Sequence, residues 1–268
     1  MLVTRSQLTH RDREVRVEAV QGLVTLAGYG DDEARELLRE IVTDYRDFDV
    51  EIYSRALNRV EVFGDQRLAE PLLAALGDTD HGCQLHTAEA CGRLGVRAAE
   101  PLLVALVEHP QVLVRESACY ALGDLEATTA VCALARSLDD ESEYVRAAAG
   151  EVLADLGGAD AIEALWSAFR ARRYRRPHYL AQALARCGPD IHDRLVEATA
   201  HDDPEIRFWA ATALGATGEE RFEPVLARLA ADDHATTPTG AHVSTGAKKA
   251  LRSSRRRRER RDSGQPAL

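Results

Sequence analysis

The amino-acid sequence repeats at nearly fixed spacing, and this constrains the fold more than any single motif does. Similar apolar helix ends recur along the chain, separated by intervals of 37, 31, 31, 31, 31, 30 and 37 residues. They are Leu23, Val60, Cys91, Leu122, Leu153, Leu184, Leu214 and Leu251. A period of about 31 residues is typical of repeat proteins, in which each unit contacts only its neighbours. The sequence therefore predicts an array of similar units rather than one globular core.

Each unit reads as two helices, and the first of them has a recognisable start. An Asp, an apolar residue three positions later and an Arg open this helix in residues 12–16 and again in residues 203–207. The Asp carboxylate accepts backbone N–H groups that lack partners in the first helical turn. Other units keep one of the two signals, at Asp49, Asp80, Arg115 and Arg146. We therefore expect Asp80 to cap the first helix of the third unit.

The second helix of each unit carries an apolar face of its own, as in residues 71–73 and 101–103. A helix pair of this kind can bury both of its faces only against the units before and after it. The sequence predicts seven two-helix units, closed by one further helix from Val243 to Arg252. The expected domains are an N-terminal segment at 1–10, a solenoid at 11–252 and a tail at 253–268.

Composition favours helices packed through small side chains. Hydrophobic residues make up 45% of the chain but aromatic residues only 5%, so Ala, Leu and Val must build the core, and Ala and Leu are strong helix formers. The five cysteines include no C-x-x-C pair. Cys83, Cys91 and Cys187 fall at apolar positions of their units, so we expect buried thiols there and an exposed thiol at Cys132.

The best-preserved units resemble a known family. Residues 114–123 and 206–215 match the pattern Asp-x-x-Val-Arg-x-x-Ala-x-x-Ala-Leu-Gly most closely. This pattern resembles the HEAT repeat family, particularly its short phycobilisome-lyase HEAT-like subtype, over about residues 11 to 251. The resemblance implies an all-α, right-handed α-solenoid whose second helices line the concave side. Ankyrin and tetratricopeptide repeats have similar lengths, but their signature residues are missing from this sequence.

Catalytic and metal-binding patterns were sought because some HEAT-like proteins are enzymes. Deoxyhypusine hydroxylases, which are HEAT-like, hold iron with His-Glu dipeptides, and this sequence has none. The nine histidines show no H-x-x-x-H spacing, and there is no glycine-rich phosphate loop. We therefore expect no cofactor, no metal and no catalysis. A HEAT-like lyase or metal-dependent oxidoreductase remains the weaker alternative.

Equivalent positions of the second helices predict a binding surface. Residues aligned with Glu70, Ala74 and Gly77 lie opposite the apolar face and should point outward. In the last four units these columns are rich in arginine, and Arg173 lies in the following connection. The leading hypothesis is a scaffold that binds an acidic segment of a partner protein. The candidate residues are Arg136, Glu163, Arg170, Arg173, Arg194, His201 and Arg228.

The chain ends in a strongly basic segment. Residues 1–247 carry a net charge of −17, whereas residues 248–268 carry +7. Because the arginine run cannot bury an apolar face, we expect residues 253–268 to be disordered and their removal to cost almost no stability. Such a tail can bind nucleic acid, which is the second hypothesis and resembles the basic grooves of HEAT-like DNA glycosylases. The residues concerned are Arg255, Arg256, Arg257 and Arg258.

The expected compartment is inferred from the lengths of the apolar stretches and from the first twelve residues. No stretch approaches the roughly 20 apolar residues that a membrane-spanning helix needs. The first twelve residues contain charged side chains and no apolar run, unlike a secretory signal. We expect a cytoplasmic monomer without a membrane span.

Overall fold

The computed structural model describes residues 3–60, 66–171 and 178–263. The chain divides into two compact units, residues 1–130 and 131–268. Within the described residues both units are built from α-helices and short 3-10 turns, with one isolated β-bridge between Thr236 and His242. The predicted all-α fold is confirmed.

The described residues of the first unit form eight α-helices, and the first helix of each repeat packs on the first helix of the next. Thus α2 contacts α4, α4 contacts α6, and α6 contacts α8, while α3 contacts α5 among the second helices. The helices are α1 (Arg5–Leu8), α2 (Arg13–Gly28), α3 (Asp32–Thr43), α4 (Val50–Val60), α5 (Ala69–Gly77), α6 (Gln84–Arg93), α7 (Glu100–Leu106) and α8 (Val112–Asp124).

The second unit continues the same alternation and ends in a long single helix. Here α10 contacts α12, α12 contacts α14, and α14 contacts α16, while α9 contacts α11. The helices are α9 (Val131–Ser137), α10 (Glu143–Leu156), α11 (Gly158–Arg170), α12 (His178–Arg186), α13 (Pro189–Ala198), α14 (Pro204–Thr217), α15 (Glu223–Asp232) and α16 (Val243–Asp262). The order of helices agrees with the predicted two-helix repeat and the closing helix.

Most of the residues that recur at the repeat spacing are buried where neighbouring helices pack together. Leu251 is half-buried, because the neighbouring Ala250 takes the inward position, and the side chain of Val60 lies outside the described residues. The other recurring positions are buried: Leu23, Cys91, Leu122, Leu153, Leu184 and Leu214. Cys83 and Cys91 are buried and Cys132 is exposed, as expected, whereas Cys187 is only partly buried; Cys119 is also buried.

The recurring arginine of the first helices binds the turn that precedes its own helix. In each of four repeats one guanidinium nitrogen donates to two successive backbone carbonyl oxygens, six and five residues earlier, at 2.6–3.2 Å. These residues are Arg16, Arg115, Arg146 and Arg207. Carbonyl groups just beyond a helix end need such donors, so the arginine fixes the direction in which the next helix leaves the turn. We call this contact the turn clamp.

At two helix starts the predicted caps are present, and at a third the predicted cap is absent. Asp12 and Asp203 cap α2 and α14 by accepting backbone N–H groups, as predicted. The cap predicted at Asp80 is wrong, because α6 begins at Gln84 with Cys83 as its N-cap. The carboxylate of Asp78 instead accepts the N–H groups of Asp80 and His81 within the turn, at 3.0 and 3.3 Å.

The C-terminal helix is longer than the sequence indicated. It was expected to end at Arg252, but α16 continues to Asp262, so the prediction of disorder is wrong for residues 253–262. Ser254 is buried at 1% exposure, and Arg255 and Arg258 donate to the carboxylate of Glu223 at 2.9–3.2 Å. Burial and ion pairing on one side therefore hold the arginine run as a helix. Residues 264–268 of the expected tail lie outside the described residues.

No helix in the described ranges combines the length and the apolar character needed to cross a membrane.

The packing of α8 yields a stability prediction with an internal control. Leu122 is fully buried, whereas Leu113 on the same helix is 59% exposed. We expect Leu122→Ala to lower the free energy of unfolding by about 2–5 kcal/mol, because it deletes buried methyl groups and leaves a cavity. Leu113→Ala should change it by less than about 0.5 kcal/mol. Chemical denaturation measures both values, and equal losses would contradict the assigned burial.

Candidate binding surface

The predicted outward columns of the second helices are exposed in the structure. Glu70, Ala74 and Gly77 are exposed on α5 in the first unit. In the second unit Ala198 is an exception, since it is buried against its neighbours at 8% exposure. The exposed candidates of the second unit are Arg136, Glu163, Arg170, Arg194, His201 and Arg228. Arg173 lies outside the described residues.

Two of the candidates neutralise each other. Arg194 on α13 donates to the carboxylate of Glu163 on α11 at 2.8 Å. The same guanidinium lies 5.8 Å from the ring centroid of Trp166, which stacks on Phe169. Arg194 is therefore oriented by an aromatic surface and by a carboxylate one repeat earlier. An exposed ion pair of this kind contributes at most about 1 kcal/mol, so an incoming carboxylate can replace Glu163 as the partner.

Two other arginines present their charge directly to solvent. Arg170 at the end of α11 and Arg228 on α15 are exposed, and neither forms an ion pair with a described residue. Arg136 on α9 donates weakly to the carbonyl oxygen of Cys132 at 3.5 Å. The exposed arginines of the second helices therefore do not form an uninterrupted basic row, because the charge of Arg194 is paired with Glu163.

His201 has a local role in the turn before α14. Its Nδ1 accepts the backbone N–H of Asp203 at 3.0 Å. His10 and His109 make the same contact at the equivalent turns of the first unit. Because Nδ1 is occupied, only Nε2 of His201 can contact a partner. This contact was not predicted from the sequence, although its signal is present there: a His lies two residues before the N-cap residue in each of these repeats.

The turn that holds His201 is clamped from both sides by Arg207. One nitrogen of this guanidinium binds the carbonyl oxygens of His201 and Asp202, and the others donate to the carboxylate of Asp233 at 2.6 and 3.2 Å. Hydrogen bonding from Arg207 lowers the pKa of Asp233, assisted by the N–H of Ala235 and opposed by burial. The second unit thereby links the turn before α14 to the end of α15.

Further contacts between polar side chains of neighbouring repeats were not predicted from the sequence. Arg186 pairs with Asp155, and each belongs to a first helix of the second unit. The buried ring of His192 lies 3.1 Å from the carboxylate of Glu219. Arg186 and Asp155 lie 31 residues apart in the sequence, as do Glu163 and Arg194. The available signal was therefore a pairing of opposite charges at the repeat spacing.

The first unit contains a buried polar cluster at the turns before α4 and α6. Tyr45 donates to Asp78 at 2.8 Å, and Arg46 donates to the same carboxylate oxygen. The hydrogen bond from Tyr45 lowers the pKa of Asp78 to about 2, assisted by the N–H groups of Asp80 and His81 and by Arg46 and opposed by burial. The contacts of Tyr45 and Arg46 join one turn to the next and the N–H contacts hold the turn of Asp78 itself, which indicates a structural role.

Within residues 3–60, 66–171 and 178–263 there is no group of three or more His, Cys, Asp or Glu side chains that could hold a metal ion.

Comparisons with known proteins identify the repeats. A model of HEAT repeats matches residues 69–154, 99–185 and 175–241, which is more than half of the chain. The comparison with curated protein sequences gives no match. An engineered protein of known structure shares 21% identity over 93% of this chain and 77% of its own, with a TM-score of 0.51. YibA of Escherichia coli shares 16% identity over 92% and 90%, also with a TM-score of 0.51.

A third solved structure is similar over most of the chain. The complex of CpcE and CpcF of phycocyanin lyase from Nostoc shares 21% identity over 93% of this chain and 92% of its own, with a TM-score of 0.42. At these identities the similarities concern the fold alone, and the two structures with the higher scores carry that argument.

The Arg207 clamp predicts a pH dependence. The pKa of folded Asp233 lies below its unfolded value of about 3.9. Its ionised form therefore stabilises the fold above that pH, and the contribution is lost as the pH falls through the folded pKa. We expect Asp233→Asn to cost about 1–3 kcal/mol at pH 7 and to weaken the loss of stability in acid. Denaturant titrations across pH test this, with the exposed Asp232→Asn as control; equal behaviour of the two variants would contradict it.

The docked part of α16 predicts that truncation after Arg252 is costly. The shortened chain loses buried Ser254 and both arginine contacts to Glu223, so we expect its free energy of unfolding to fall by about 1–3 kcal/mol. Glu223→Gln in the full chain should reproduce part of the loss. Thermal unfolding monitored by circular dichroism measures both, and a truncated chain as stable as the full one would restore the expectation of a disordered tail.

Proposed function

Because the chain belongs to the HEAT repeat family, we propose that it is a non-catalytic helical-repeat scaffold that binds an acidic segment of a partner protein. The proposed surface is the exposed face of the second helices in residues 131–268. The observation that carries this proposal is the pair Arg170 and Arg228, which lie exposed on separate second helices without an ion pair to any described residue.

The chemistry of the surface suits carboxylate groups. A guanidinium presents several N–H donors in one plane and binds a carboxylate through two parallel hydrogen bonds. Trp166 supplies an aromatic face beside Arg194, which holds that guanidinium in place. An acidic segment could thus engage Arg170 and Arg228 directly and Arg194 by displacing Glu163. Arg136 and the Nε2 of His201 would extend the contact, and Arg173 lies in the intervening connection.

The test uses a fluorescein-labelled Glu/Asp-rich peptide and fluorescence anisotropy with the full chain. We expect the double variant Arg170→Glu, Arg228→Glu to weaken binding by about tenfold or more, since each rim charge steers and holds the peptide. Glu163→Gln should strengthen binding by about two- to fivefold, because it releases Arg194 from its internal partner.

The control is Arg11→Glu, which reverses the charge of one exposed arginine in the first unit and so makes half the charge change of the double variant. Peptide affinity should change little in this variant. Equal weakening by the control would show an effect of net charge alone, and no binding by the unaltered protein at low salt would refute the proposed function.

A further inference from the structure

The outward side of α16 carries cations in a regular line. Lys248, Arg252, Arg256 and Arg260 follow one another at four-residue spacing, with Lys249 beside the first. All five are exposed, and none forms an ion pair with a described residue. Successive cations are about 6 Å apart along the axis, and the line extends for about 18 Å. We call these five residues the cationic face.

The opposite side of α16 is fixed to the second unit, which determines the direction of the cationic face. Val243, Ala247 and Ala250 are buried against neighbouring helices. The backbones of α14 and α16 approach so closely that a Cβ added at Gly215 would lie 2.6 Å from Ala250. A Cβ added at Gly246 would likewise lie 2.4 Å from the ring of Phe208. The helix cannot rotate its cations inward without losing this packing.

The acidic residues nearest to α16 are already occupied by other arginines. Glu223 accepts from Arg255 and Arg258, and Glu220 lies 3.4 Å from Arg258. Within α16 itself the acids are Glu259 and Asp262. Like charges four residues apart on a helix repel each other, so the cationic face holds positive charge that the described residues leave largely uncompensated. An anionic partner would relieve this repulsion.

We propose that the cationic face binds the phosphate backbone of duplex nucleic acid without reading its sequence. A line of about 18 Å spans roughly five base-pair steps of a duplex, whose phosphates present a continuous row of negative charge. This site is separate from the proposed peptide surface, because it shares no residue with it.

Other anionic partners fit the cationic face less well. Its exposed positions from 248 to 262 hold no aromatic side chain, whereas binding of single strands depends on aromatic stacking. They also hold no large apolar residue, and the apolar side of the helix is buried within the protein, so insertion into a lipid surface is disfavoured. A duplex backbone requires only positive charge in a rigid line.

The experiment measures fluorescence anisotropy of a labelled mixed-sequence DNA duplex of about 20 base pairs with the full chain, between about 50 and 200 mM salt. We expect the logarithm of the binding constant to fall with the logarithm of salt concentration with a slope of about −4.5, as five phosphate contacts predict. A duplex of different sequence should bind with the same affinity.

The variant Arg252→Gln, Arg256→Gln, Arg260→Gln should make this slope smaller by about 3 and weaken binding at low salt by at least about tenfold. The control Arg136→Gln, Arg170→Gln, Arg228→Gln removes the same charge from the second helices and should bind duplex as the unaltered protein does. Because glutamine is a good helix former, circular dichroism should show unchanged helix content in both variants.

Several results would overturn the proposal. One is the absence of duplex binding at about 50 mM salt. The others are an unchanged salt slope in the α16 variant, or equal losses of duplex affinity in the α16 variant and the second-helix variant. Tighter binding of the Glu/Asp-rich peptide than of duplex, lost in the α16 variant, would assign the cationic face to an acidic protein. Binding of phosphatidylserine vesicles in place of duplex would assign it to a membrane. Loss of peptide binding in the second-helix variant has no bearing on duplex binding by the cationic face, so either proposal can fail without the other.

Discussion

The turn clamp is the interaction on which the repeat architecture depends most directly. A turn between two helices exposes carbonyl oxygens at its start and N–H groups at its end, and both need partners. At residues 201–207 the clamp of Arg207 satisfies the carbonyls, while His201 and Asp203 accept the N–H groups. With donors and acceptors both matched, the turn has one favoured geometry. The angle between a second helix and the following first helix is then fixed, which places the exposed columns of successive second helices.

Two repeats of the first unit lack this arginine and achieve the same result by other contacts. Before α4, the carboxylate of Asp49 accepts a helix N–H and also binds Arg16 of the preceding repeat. Before α6, Asp78 holds its own turn and binds Tyr45 and Arg46 from the previous turn. Each substitute still ties a turn to its neighbour through a charged group. The period is therefore preserved even where the sequence pattern is broken.

The repeat and its outward columns were predictable, because a fixed period places equivalent residues in equivalent environments. The burial of Leu122 and the exposure of Arg170 followed directly from this alignment. The internal pair of Glu163 and Arg194 was not found, since each residue was assigned to a column without comparing charges across one repeat. The length of α16 was missed for a related reason. Composition treats an arginine run as disordered, whereas Glu223, about thirty residues earlier, stabilises it as a helix.

Because α16 is an ordered helix, its cations can bind a partner with a smaller loss of conformational freedom than those of a disordered tail. A disordered basic tail must lose conformational freedom when it binds, and this cost offsets part of the electrostatic gain. In α16 that freedom is already lost on folding, and the packing of Ala250 and the contacts of Arg255 provide the compensating energy. The remaining cations then keep fixed positions relative to one another. Such a surface favours a partner with regularly spaced charge over one with the same charge arranged irregularly, and this discrimination arises from the packing of small residues on the opposite side of the helix.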